Sequence, residues 1–108
     1  FKGEIMGTID YKIMIRDAIK SIEDNTSLFY QQKSKEGFEM LNNTLGLLIN
    51  TTSGILGSQK DRSGLYIDEQ ELNVVLTNAM NTIEIGDTIL LSDILYFDLK
   101  PLLERIVL

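Results

Sequence analysis

The chain has 108 residues, 44% of them hydrophobic and 24% charged, with 16 acidic against 10 basic side chains and a formal charge of −6. It holds one proline and no histidine, cysteine or tryptophan. This excludes disulfides, thiolate zinc centres, iron–sulfur clusters and thiol or histidine catalysis, and no Lys/Arg cluster offers the concentrated positive charge that nucleic acid or an anionic membrane demands.

The length suits one domain with a real core. Low aromatic content and a single proline argue against a turn-rich β-sandwich, and clear periodicity argues against disorder. No run approaches the roughly 18 to 20 apolar residues of a membrane span, and the start has no apolar h-region, so the expected setting is the cytoplasm. Residues 1–7 read as an N-terminal extension and 8–108 as the domain. The acceptor-like tripeptides at Asn25, Asn42 and Asn50 fall inside predicted helices and are expected to be unmodified.

The first helix is predicted over about Ile9 to Gln32. Tyr11, Ile15, Ala18, Ile19, Ile22, Thr26, Phe29 and Tyr30 recur at three or four residues and share one side. The phase survives Asp24-Asn25-Thr26-Ser27, which favours one helix over two. A second helix begins with Ser34 as N-cap and carries the seam Phe38, Leu41, Leu45, Leu48, Thr52, Ile55. Gly46 lies inside it, at a cost of roughly 1 kcal/mol relative to Ala, so a close helix contact is expected there. A loop is predicted from Gly57 to Gly64.

The third helix has the clearest start. Asp68 and Glu71 form a capping-box pattern with Ile67 and Leu72 as the hydrophobic staple, and the seam runs Leu72, Val75, Leu76, Ala79, Met80, Ile83. Gly86 ends this helix and Asp87 caps the next. The last helix, about Asp87 to Val107, presents Leu90, Leu91, Ile94, Leu95, Phe97 and Leu102. Pro101 removes a backbone bond and crowds the Phe97 carbonyl, so a kink or break is expected near Leu99. Four helices with short connections predict an all-α, antiparallel four-helix bundle.

Asp98 is the oddest residue. On a regular helix it falls about 40° from Ile94, on the apolar face. A carboxylate there needs a partner such as Arg16, Lys33, Tyr11 or Tyr30, because burying unpaired charge is costly. Asp98, Asp93, Tyr30 and Lys33 form the candidate polar site, with Tyr66 and Tyr96 as possible neighbours. Asp87 and Asp93 on the same helix do not make a metal site: the di-iron bundle pattern needs histidine, and no calcium-loop spacing is present. No cofactor is expected. Met40, Met80, Leu91 and Leu95 form a candidate groove for a partner helix, since methionine adapts to varied shapes.

Two stretches resemble uncharacterised small helical proteins of clostridia and related Firmicutes. The first is Phe29-Tyr30-Gln31-Gln32-Lys33-Ser34-Lys35-Glu36-Gly37-Phe38 with Leu41. The second comprises Ala79 to Ile83, Asp87-Thr88-Ile89-Leu90-Leu91-Ser92-Asp93-Ile94-Leu95, and Leu99 to Leu103 with Pro101. Ser92, Tyr96 and Asp98 depart from that pattern, which has Ala, Glu and Glu. The resemblance implies a helical domain of unknown function and carries over no ligand or catalytic residue. Size and acidity are also similar to flagellar export chaperones, an analogy of fold only. The expected function is a non-enzymatic protein-binding or self-associating module, with a homo-oligomer as one form. The alternative is a small-molecule or metal-binding protein built around Asp98 and nearby Tyr residues.

Overall fold

The computed structural model describes residues 11–59 and 66–107, and among these every regular element is helical. Helix α1 spans Tyr11–Tyr30, α2 Ser34–Gln59 and α3 Glu69–Ile85. The C-terminal helix follows in three parts: α4 over Thr88–Asp93, a π-helical stretch over Ile94–Leu99, and α5 over Lys100–Val107. The predicted extension, the start of the first helix at Ile9 and most of the predicted loop lie outside the described residues. Gly57 and Ser58, expected in the loop, continue α2.

Residue pairs set the directions. Ser21 meets Thr44 (2.8 Å), Asn25 donates to the Gly37 carbonyl (3.0 Å) and Phe29 meets Phe38, so numbers fall along α2 as they rise along α1. Tyr30 to Asp93 and Glu23 to Lys100 do the same for the C-terminal helix, and α3 runs against that helix too, with Glu71 near Arg105 at one end and Ile85 beside Leu90 in one cleft at the other. The predicted antiparallel arrangement is therefore present. Helix α1 is its central member, packed on α2 along one flank and on all three parts of the C-terminal helix along the other, while α3 packs on α4 and the π stretch.

The core takes Ile15, Ala18, Ile22 and Phe29 from α1, Leu41, Leu48 and Ile55 from α2, Leu72, Val75 and Ala79 from α3, and Leu91, Ile94, Leu95, Leu99, Leu102 and Leu103 from the last helix. Asp24 to Ser27 do not interrupt α1. Asn25 and Thr26 are buried, and the Thr26 hydroxyl donates to the Ile22 carbonyl (2.8 Å), which satisfies it inside the helix.

The ends follow local chemistry. Asp68 accepts from the Glu71 N–H (3.0 Å) and Asp87 from the Leu90 N–H (2.9 Å). Glu71 turns its carboxylate toward Arg105 (3.7 Å), so the forward half of the predicted box is the half in use. Gly86 sits at φ +75° in a Schellman closure, with bonds from Gly86 N–H to Ile83 and from Asp87 N–H to Thr82. The same closure ends α1 at Gln32, at φ 62° without glycine's freedom, and the Lys33 N–H reaches the Leu28 carbonyl. Ser34 is the first residue of α2, not its cap: the Lys33 carbonyl accepts from the Gly37 N–H.

Glycine contacts differ from expectation. A Cβ on Gly46 would meet nothing within 4 Å, whereas one on Gly37 would lie 2.6 Å from the Phe29 ring and one on Gly54 2.5 Å from the Tyr11 ring. The close approaches of α1 and α2 therefore occur at Gly37 and Gly54.

Pro101 exerts its effect through the π stretch. The Lys100 N–H bonds to the Leu95 carbonyl, five residues back. In a regular helix the Pro101 ring would crowd the Phe97 carbonyl, and the wide turn just before it absorbs that conflict. The turn also keeps Leu91, Leu95, Leu99 and Leu103 buried together. Steps of four drift about 40° each on a regular helix, and a turn that holds more residues cancels part of that drift. The change of helix type falls at Leu99, where the proline predicted a break.

Candidate functional site

Two surface features stand out. The first is a polar rim between α1 and the C-terminal helix. The Tyr30 hydroxyl donates to Asp93 Oδ1 at 2.6 Å. Two turns earlier on α1, Glu23 Oε2 pairs with Lys100 Nζ at 2.8 Å, and that ammonium also lies 4.2 Å from the centre of the Tyr96 ring. A cleft of about 480 Å³ opens here, lined by Glu23, Thr26, Ser27, Tyr30, Gln31 and Tyr96.

Electrostatics at the rim follow from these contacts. The Tyr30 phenol is pushed up to about 12, first by burial of the hydroxyl and then by its hydrogen bond to the Asp93 carboxylate and the nearby negative charge. Lys100 is raised chiefly by its bond to Glu23, against an opposing effect of burial. Both groups hold their protons at neutral pH.

The second feature is apolar. A cleft of about 460 Å³ between α3 and the C-terminal helix is lined by Asn78, Asn81, Thr82, Ile85, Leu90 and Ile94. Val74, Asn73, Thr77 and Asn78 line a smaller hollow along the outer side of α3. Val74 is 60% exposed, Ile85 72% and Leu90 44%. From Leu72 to Ile83 the helix carries no charged side chain.

The predicted site residues are only partly assembled. Tyr30 and Asp93 are bonded to each other. Lys33 is exposed in the turn after α1, and Tyr66 lines a separate cleft with Arg105. Asp98 is exposed rather than set on the buried face. The reason is the position of that face: it is centred on Leu95 and Leu99 rather than on Ile94, and the wide turn carries Asp98 off it. Phe97, also expected inward, is exposed and packs edge-on against Tyr96 at 5.1 Å.

The predicted groove does not form as a surface. Leu91 and Leu95 are core residues with 1% and 0% exposure, Met40 is half-buried on α2 and Met80 is exposed on α3. Tyr96, expected as a neighbour of Tyr30, does line the rim cleft with it; sequence reading missed Glu23 and Lys100 at the rim and Val74, Asn78, Asn81 and Ile85 on α3. The uncharged stretch of α3, in a chain with 16 acidic residues, was the available signal for the second set.

Among the described residues no group of three or more acidic side chains is arranged to hold a metal ion, and no helix is long and apolar enough to cross a membrane. No curated protein and no solved structure matches the chain. A family model does match, over residues 8–107, and the chain belongs to that family, described as a domain of unknown function (DUF8042).

Proposed function

We propose that this domain is a non-enzymatic, cytoplasmic protein-binding module whose contact surface is the cleft between α3 and the C-terminal helix. The observation that carries the reading is the exposure of Ile85 and Leu90 at that cleft and of Val74 in the hollow that shares Asn78 with it. Large apolar groups clustered at a concave surface favour burial against a partner. The residue types support the non-enzymatic part: the chain has no His or Cys, and the Tyr30 hydroxyl is already bonded to Asp93 and held protonated.

Affinity capture with the immobilised domain tests the reading. A stoichiometric partner held by the wild type and lost with Ile85→Glu supports it; equal capture by both proteins rules out the cleft as the surface. A second reading, a small-molecule site built on acidic and Tyr groups, draws its support from the cleft at Tyr30 and Tyr96 rather than from Asp98. Under that reading a compound raises the melting temperature of the wild type and not of Tyr30→Phe.

A further inference from the structure

We infer that the occupant of the α3 face is a second copy of this chain, docked across a two-fold axis with the two α3 helices antiparallel. This rests on the reading of that face as a binding surface and names its partner.

The first argument is the order of side chains. Val74, Asn78, Asn81 and Ile85 follow one another by four, three and four residues, which places them within about 60° of one another on the helix and along about 16 Å of its length. All four are exposed. Their order is apolar, amide, amide, apolar, symmetric about the midpoint between Ala79 and Met80. A two-fold axis through that midpoint sets Val74 against Ile85 of the partner subunit and Asn78 against Asn81 of the partner subunit. Apolar then meets apolar at both ends, and in the middle each amide offers the two donors and the acceptor that another amide needs. Central Asn residues flanked by apolar ones also define a register, as they do in coiled coils.

The second argument is charge. Each copy carries −6, and an isologous contact sets every charge against its own image. A face that meets itself in an acidic protein must therefore be free of charge at its centre, and α3 is uncharged from Leu72 to Ile83. The outer side of α1 fails this condition, with Lys12, Arg16, Asp17, Lys20, Glu23 and Asp24 all exposed. Helix α2 is uncharged from Met40 to Gln59, but among its described side chains in that stretch the exposed residues are Asn42, Asn43, Gly46, Asn50, Ser53 and Gly57 around one large exposed apolar side chain, Ile49. That side offers too little apolar surface to offset the cost of association.

Sedimentation velocity over a concentration series tests the inference. The wild type is expected to dimerise, and Val74→Glu and Ile85→Glu each to weaken the dimer by roughly a hundredfold, because two-fold symmetry buries each new charge twice. Ile49→Glu on α2 leaves the dimer unchanged. Added salt tightens the wild-type dimer by screening repulsion between two acidic chains. Cross-linking reads the register: the chain has no cysteine, so a mixture of Asn78→Cys and Asn81→Cys should form the mixed disulfide faster than either variant forms its own.

Circular dichroism confirms that the glutamate variants are folded; if one is not, the cysteine pair decides. A monomeric wild type or a dimer indifferent to both glutamate variants overturns the second copy as occupant, and no preference for the mixed disulfide overturns the antiparallel two-fold pairing. A monomer that still captures a different protein through Ile85 leaves the binding surface standing and rejects only its self-pairing. A monomer that captures nothing rejects both.

Discussion

The two flanks of α1 are joined to their neighbours by different means. Toward α2 the fit is one of shape: Phe29 lies over Gly37 with Phe38 edge-on at 5.2 Å, Tyr11 lies against Gly54, and the polar links are an Asn25 bond to backbone and a Ser21–Thr44 bond. Toward the C-terminal helix a leucine core is edged by titratable groups, with Tyr30 on Asp93 and Glu23 on Lys100. At Gly37 and Gly54 an aromatic ring of α1 fills the space that a side chain on α2 would take. On the other flank the bonded side chains, Asp93 and Lys100, stand immediately before and after the π stretch. The first flank therefore responds to volume and the second to pH and salt.

The strongest way to break the shape-fitted flank is Phe29→Ala. Phe29 is 1% exposed, and its loss should cost about 3–5 kcal/mol in urea denaturation. Next is Gly37→Ala, expected to cost about 1–3 kcal/mol because the new Cβ would stand 2.6 Å from a buried ring. Phe29→Leu should lessen the penalty of Gly37→Ala, and strict additivity of the two changes would remove Gly37 as the contact point.

On the polar flank Lys100→Met should cost about 1 kcal/mol, since the Lys100 side chain is 12% exposed but its Glu23 partner is much more open. Coupling to Glu23→Gln that fades in high salt would confirm the ion pair. The smallest effect at neutral pH belongs to Tyr30→Phe, about 0.5–1 kcal/mol for one hydrogen bond. Its signature is alkaline. The folded-state value is raised to about 12, above the ordinary phenol value of 10, so the protonated hydroxyl contributes its stability below pH 10 and loses it as pH climbs to about 12. Wild type should lose more stability than Tyr30→Phe across that window, and parallel pH profiles would place Tyr30 outside the rim network.

Much of the fold was legible because its signals are local. Leu72, Val75 and Ala79 repeat at helical spacing and are buried as that spacing implies, and Asp68, Asp87 and Gly86 mark ends through bonds that reach only a few residues. Gln32 escaped notice because a left-handed closure without glycine has no distinctive composition. Asp98 was misplaced because a wheel drawn at a constant 3.6 residues per turn does not admit the wide turn that Pro101 requires. The candidate site was less legible still. Tyr30 and Asp93 were both singled out, but their bond spans 63 residues.

Period, caps and residue types are properties of neighbours along the chain, and they settle the helical class, the order of the rods and the chemistry that is missing. Which glycine is touched, where the last helix widens and which side chains share the rim depend on how rods far apart in sequence meet. Those meetings are decided by packing volume and by the register of one apolar face against another, and neither is written within a single turn of helix.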